Sequence, residues 1–495
     1  MKKALAGTCL GLLALAVWWL TQHPHWMPGS AWPWLMVCAW ALFALGFASL
    51  RWVPVRASMF LILLGGLALP LAAGFAPPRS SDDMYRYIWD GRVQTVGIDP
   101  YRYAPAAPQL AGLRDDFLWP QRSSWCVPPG ATDFERGQPL SPGCTLINRP
   151  HVHTVYPPVA QGFFTLVDLL SPKGSRDGPM QLATALTAFA TTIMLLICLP
   201  RFGLDPRLAA LWAWCPLIAL EAGNNAHVDV LASFLTGTAL ALLAMAKDAR
   251  RAGLGGVLFG LAIAVKITPV LVAPALLRRR AVAVGAAALF AIGIVYLPHV
   301  IAVGWDVLGY LPGYVMDEGY GSGQRFALIA AVVPTPAAPI VAVAILAVTA
   351  LLVWWRTDPD RPWRTAIVMV GVTFLVTTPP YSWYSMLVVL LVAFTGRVEW
   401  LVLCLAGYVV QYAGALGLAG HAPARLAYGI AVLVIVAASI ARQAVATATG
   451  QRASPLVLLR RGSARTEQRV DADRAGHRID ADRTDHRIDA DRNRA

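Results

Sequence analysis

Charge is what this chain has least of. Asp, Glu, Lys and Arg make up 14% of 495 residues against 57% hydrophobic, and the mean hydropathy is +0.54. A soluble domain carries about a quarter charged residues, so a water-soluble enzyme on a single anchor is excluded and the bilayer is the main solvent. Other signals are missing too. No Gly-rich loop of the nucleotide-binding kind occurs, no Cys/His spacing suits zinc, and the apolar spans show no internal repeat, which argues against a two-halved transporter. The formal charge of +13 does not point to nucleic acid. Positive charge in short loops between apolar spans is the signature of cytoplasmic membrane flanks.

What is there is a series of apolar runs whose lengths and basic flanks predict a topology. Lys2 and Lys3 precede a first span at about 4–20, and a second at 32–50 returns to Arg51 and Arg56. A third, 57–76, then exits outward. Later inward flanks are 201–207, 247–251, 278–280, 356–364, 397 and 442, so alternation requires paired helices between them. The expectation is an all-α polytopic membrane protein with about 14 transmembrane or re-entrant helices, within a range of 11–14. The segment 253–277 is too short for two crossings, is bounded by arginines and holds Lys266 and Pro269, so it reads as a broken hairpin. Four regions follow: N-terminal helices at 1–76, an extracytoplasmic catalytic loop with interfacial helices at 77–178, a helical bundle at 179–442, and a cytoplasmic tail at 443–495. The tail ends in a nine-residue Arg/Asp-rich repeat with too few apolar residues to bury a core. Both termini are expected in the cytoplasm and the chemistry outside it, at the cell membrane.

The polar stretch after the third span concentrates ionisable groups. Residues 80–105 hold four aspartates, three arginines and four tyrosines. The pair Asp82 and Asp83 follows an apolar run directly, and a carboxylate at that boundary can deprotonate a hydroxyl beside a lipid-borne substrate. The competing reading has Ser81 or Asp82 capping a helix, with Asp83 complementing its dipole. Asp90, on the same helical face, could bind substrate or pair with Arg86 or Arg92. His151, His153 and Tyr156 continue the loop, and Glu221, Asn225, His227 and Asp229 fall at a turn between two apolar spans, where ionisable groups need a reason. A third polar loop ends in Arg325, and a fourth, 379–384, ends in Tyr384. The Lys266 ammonium, flanked by Val265 and Ile267, needs an anionic partner or a route to the interface; a lipid phosphate would serve. Cys126 and Cys144 lie 18 residues apart in a Pro- and Gly-rich stretch on the expected oxidising side, which suggests a disulfide. The other five cysteines fall within spans as small apolar residues.

The run Ser81 to Gln94 with Gly97 to Pro105, then Tyr156-Pro-Pro-Val-Ala-Gln161, Cys215-Pro-Leu-Ile218 and Val265-Lys-Ile-Thr-Pro269, resembles the GT-C integral membrane mannosyltransferases of bacteria. The resemblance covers roughly 57–400 and is nearest to the glycosyltransferase 87, polyprenol-phosphate-mannose-dependent group of actinobacteria. Relatives tend to carry Asn-Pro where this chain has Cys215-Pro216, Asn-Asp where it has Val228-Asp229, and His-Pro-Trp-Tyr where it has Tyr381-Ser-Trp-Tyr384.

The resemblance implies a GT-C-like fold and transfer of a sugar, mannose for preference, from a polyprenyl phosphate donor to a glycolipid or cell-envelope glycan, with inversion. On that expectation Asp82 or Asp83 is the base, while Lys266 and an outer-loop arginine hold the phosphate. Arg86, Tyr87, Asp90, Arg92, His151, His153, Tyr156, Glu221, Asn225, His227, Asp229, Arg325 and Tyr384 are candidate binding residues. No cofactor or metal ligand set is implied for certain, and a divalent cation is compatible with the acidic pair. The expected partners are the lipid-linked donor, the acceptor and the bilayer, and not nucleic acid. The rival readings are a transporter or flippase of lipid-linked glycan and a glycan ligase or polymerase.

Overall fold

The structure, a computed structural model, describes residues 4–23, 31–120, 145–323, 325–414, 416–418 and 420–449. Cys126, Cys144 and the repeat tail lie outside the described residues, so the expected disulfide and the reading of the tail have no structural counterpart here. Among the described residues every regular element is a helix.

Of the helices among the described residues, seven are long and apolar enough to cross a membrane: Ala4–Gln22, Trp32–Trp52, Val55–Ala73, Gly178–Arg201, Ala281–Asp317, Thr335–Arg356 and Ala422–Val445. Shorter apolar helices, Pro158–Leu170, Asp229–Ala244, Trp363–Thr377, Ser382–Thr395 and Val398–Gln411, fill the spaces between them. Several expected spans are therefore packing elements shorter than a bilayer is thick. Every residue from Met386 to Thr395 is buried, so that helix is apolar all round because it is central. The long helices behave oppositely. Val282, Leu289 and Ile340 are all more than 70% exposed, which water would penalise and lipid tails do not.

Two breaks in the bundle matter for function, and both follow from proline. The apolar segment 208–222 is not one continuous helix: it forms a short helical turn, Ala210–Ala213, a bend at Cys215-Pro216 and a π-helix, Ala219–Asn224. Pro216 cannot continue the hydrogen-bond ladder, and the residue before a proline is pushed to extended backbone, as Cys215 is at φ −62°, ψ 123°. The second break is the expected hairpin. The Ala249–Ile263 helix ends before Lys266, short turns Thr268–Val272 and Ala273–Leu276 run back, and the Arg280 guanidinium donates to the carbonyl of Lys247. Both ends of the segment thus meet at one level, with Lys266 near the tip.

Small residues let this hairpin sit tightly against the next helix. Gly256 and Gly260, one turn apart, face the backbone of Val284 and Ala288 in the Ala281–Val303 helix. Side chains there would strike main chain, which cannot swing aside. This is the small-xxx-small contact by which membrane helices approach closely when no hydrophobic force drives them together. We expect Gly260→Val to destabilise the protein by about 1–3 kcal/mol, the usual cost of overpacking. A thermal unfolding curve in detergent checks this, and a melting temperature equal to wild type would mean the two helices are free to separate.

Candidate active site

The Asp83–Thr95 helix starts where the chain leaves the third long helix. Its cap is Ser81, whose Oγ accepts the Asp83 N–H at 3.2 Å, while the Asp82 side chain makes no cap bond. Neither carboxylate is consumed in starting the helix. Asn148 instead donates to both, at 3.0 Å to Asp82 Oδ1 and 2.6 Å to Asp83 Oδ1, and so holds two like charges side by side. Tyr87 and Tyr156 lie beside the pair. Burial foremost, and the Asp83 charge next, push both phenols well above their usual range, so both stay protonated donors.

On the other side of Asp83 stands His227. Its Nδ1 is 3.7 Å from Asp83 Oδ2 and its Nε2 is 3.5 Å from Glu221 Oε2, in a fully buried position. The backbone delivers it there by unusual means. The π-helix Ala219–Asn224 widens the chain, Ala226 adopts φ 54°, and the His227 N–H closes on the Glu221 carbonyl at 2.8 Å. π-helical turns and left-handed non-glycine residues collect at functional sites, where packing must hold them against their strain. Burial pushes the imidazole well below its ordinary range, and the Lys266 charge adds to this. The ring is therefore neutral, and at these distances neither nitrogen makes a hydrogen bond to a carboxylate. It stacks on Trp383 with ring centroids 4.1 Å apart, and Trp383 stacks in turn on Tyr381 at 4.6 Å.

Glu221 itself is locked. It accepts from Ser382 at 2.8 Å, Tyr408 at 3.0 Å and Asn225 at 2.9 Å. Asn225 also accepts the N–H groups of Arg79 and Ser80, so it ties the chain before Asp82 to the π-helical turn and acts as a strut.

A cationic and aromatic wall faces these acids. Lys266 is not unpartnered in the protein: its Nζ lies 2.6 Å from Asp229 Oδ2, the first residue of the Asp229–Ala244 helix. The same ammonium sits 4.9 Å from the Tyr384 ring centroid, and the Tyr384 and Tyr314 hydroxyls are hydrogen-bonded. Arg149 lies 5.6 Å from the Tyr314 ring and 3.8 Å from Glu318, which pairs with Arg325 at 2.7 Å. Arg325 closes the circuit over Tyr381, at 5.8 Å. A carboxylate pair, a buried histidine, three cations and a set of tyrosines thus surround one region, contributed by six separate stretches of chain.

Other candidates lie elsewhere. Asp90 pairs with Arg86 at 2.9 Å and accepts from Thr154 at 2.7 Å and Gln161 at 3.0 Å, a closed network that fixes the Asp83–Thr95 helix to the Pro158–Leu170 helix. Arg92 pairs with Asp115 at 2.5 Å, and His151 and His153 are exposed. Among the described residues no group of three His, Cys, Asp or Glu side chains is arranged to hold a metal ion. Asn148, Tyr314 and Tyr408 had no place among the candidates, and Ser382 appeared only inside the run Tyr381-Ser-Trp-Tyr384 with no role of its own.

Residues 154–379 match the family model described as glycosyltransferase family 87. The matched region takes in Glu221 to Asp229, Lys266, Tyr314 and Arg325, though it starts after Asp83 and Asn148. No curated protein and no solved structure matches. The family match, together with the helices, supports a membrane glycosyltransferase of the GT87-like kind.

Asn148 provides a direct test of the acidic pair. A hydrogen bond to a charged group is worth about 1.5–3 kcal/mol. Asn148→Leu, which leaves the two carboxylates without their shared donor, should therefore lower kcat/KM by roughly 10- to 100-fold. A kcat/KM equal to wild type would show that the placement of Asp82 and Asp83 does not matter to the reaction.

Proposed function

Proceeding from a GT87-like membrane glycosyltransferase, we propose that this chain transfers a sugar, mannose for preference, from a polyprenyl phosphate to a glycolipid or cell-envelope glycan at the outer face of the cell membrane, with inversion. The observation that carries the reading is the opposition of an acid pair bridged by one Asn148 amide, Asp82 and Asp83, to cations set in aromatic side chains, Lys266, Arg149 and Arg325. One side suits proton removal and the other suits a phosphate.

In this reading Asp83 takes the proton of the acceptor hydroxyl, and Asn148, donating at 2.6 Å, fixes the orientation of its carboxylate. The acceptor oxygen forms a bond to C1 of the sugar as the C1–O bond to phosphate breaks, and the electron pair leaves on the polyprenyl phosphate. Direct displacement with a single base inverts the anomeric centre, unlike the two-step covalent route of retaining hydrolases. Negative charge builds on the departing phosphate, where preset cations stabilise it most. Lys266 spends one of its three donors on Asp229 and its side chain keeps 16% of its surface exposed, so donors remain for a phosphate oxygen. Tyr384, Tyr314 and Tyr156 supply hydroxyls and ring faces of the kind that hold sugars.

Asp83→Asn is expected to lower turnover with purified donor by about 10²- to 10⁴-fold, the range for loss of a general base. Insertion and melting temperature should stay near wild type. Near wild-type turnover in both Asp82→Asn and Asp83→Asn removes the assignment. Lys266→Ala should raise the KM for the lipid phosphate donor far more than the KM for acceptor, with partial rescue by Lys266→Arg. An equal rise in both constants would make the residue a strut for Asp229. For the whole chain, a deletion strain with truncated glycan supports transfer, whereas an intact glycome with accumulated lipid-linked intermediate would point to transport.

A further inference from the structure

The Asp229–Ala244 helix has a second end. Fifteen residues from Asp229, at ~1.5 Å each, place Ala244 about 22 Å from the acidic site, and a cleft opens there. Its volume is about 630 Å³, within the roughly 300–1,000 Å³ of small-molecule sites. The backbone and side chains of Ala244, Met245 and Ala246 supply apolar lining, and Lys247, Arg251, Arg279 and Arg280 supply charge. Asp360 also lines it.

Among the described residues the charge there is not cancelled. The stretches 247–251 and 278–280 hold six basic residues and one acid, Asp248. Asp248 lies 3.7 Å from Arg251, and Asp360 pairs with Arg279 at 2.8 Å, both pairs being largely exposed and therefore weak. Arg280 spends a guanidinium N–H on the Lys247 carbonyl. Four cations thus meet two loosely held carboxylates over an apolar floor. The level of the cleft is marked by indoles: Arg278 lies 5.0 Å from the ring of Trp354, and Trp354 and Trp355 are both exposed on the Ala338–Arg356 helix. Exposed tryptophans beside arginines mark the headgroup layer of a bilayer.

We infer that this cleft binds the phosphodiester headgroup of an anionic membrane phospholipid. The cations meet the phosphate, the apolar lining meets the first carbons of the acyl chains, and the Arg278–Trp354 pair borders the site at the interface. Basic pockets between membrane helices recognise acidic headgroups in this way. The inference does not depend on the reaction proposed for the acidic end.

The test uses the full-length chain purified in a neutral detergent and exchanged into phosphatidylglycerol or phosphatidylcholine. Native mass spectrometry should show phosphatidylglycerol retained at collision energies that strip phosphatidylcholine. Lys247→Gln with Arg251→Gln should weaken retention more than tenfold, since each basic residue near an anionic headgroup is worth roughly fivefold in affinity. These two side chains are chosen because they are exposed, and because the cap bond at this helix start uses only the Arg251 backbone N–H. A melting temperature equal to wild type in detergent alone confirms that the double variant folds. Equal retention of the two lipids by wild type, or undiminished retention by the folded double variant, overturns the inference. Stabilisation by inorganic phosphate equal to that by phosphatidylglycerol would also overturn it, because the site would then read a free anion and not a lipid.

Discussion

An ammonium among apolar helices is tolerated only beside an anion, and that requirement organises this molecule. Lys266 stands near the tip of a hairpin that does not cross, and its partner, Asp229, begins a helix from another part of the bundle. Each charge alone would cost several kcal/mol to bury. Together they fasten the hairpin to the turn that carries Glu221 and His227. The glycine contact with the Ala281–Val303 helix sets the height of the hairpin, and the ion pair sets the position of its end. Asp83, which approaches the same turn from the start of the Asp83–Thr95 helix, meets a surface already fixed.

Much of this could be read in the sequence, because local chemistry left a local mark. Asp82 and Asp83 are conspicuous for following an apolar run directly, and Lys266 and Pro269 for interrupting one. The Arg86–Asp90 pair could be read from its i, i+4 spacing. Its role as a brace could not, because its partners Thr154 and Gln161 lie more than 60 residues away. The same limit hid the cage around Glu221: Ser382 and Tyr408 are 161 and 187 residues distant, the first inside the 379–384 loop and the second within an apolar run. Asn148 was invisible for the complementary reason, since an asparagine in an irregular loop carries no periodicity.

Among the described residues, seven long and five shorter apolar helices fall within the expected 11–14 transmembrane or re-entrant ones, but length and burial divide them in a way composition does not. Apolar length distinguishes a helix that can cross a bilayer from one that cannot, but a ten-residue helix buried on every side, such as Met386–Thr395, is as hydrophobic as any lipid-facing one. The broken segment around Cys215-Pro216 shows the converse. Its composition fits a span, while its backbone is spent on producing a π-helical turn that sets His227 between Asp83 and Glu221.

The hairpin also bears on the membrane around it. Its longer arm has 15 residues, about 22 Å at ~1.5 Å each, against a hydrocarbon layer of about 30 Å. A bilayer meets an apolar element shorter than itself by thinning or dimpling beside it. Lys266, near the tip of the short arm, would then lie closer to the local headgroup level than the length of the neighbouring helices implies, and the shape that a short element imposes on its solvent would become part of the placement of that charge.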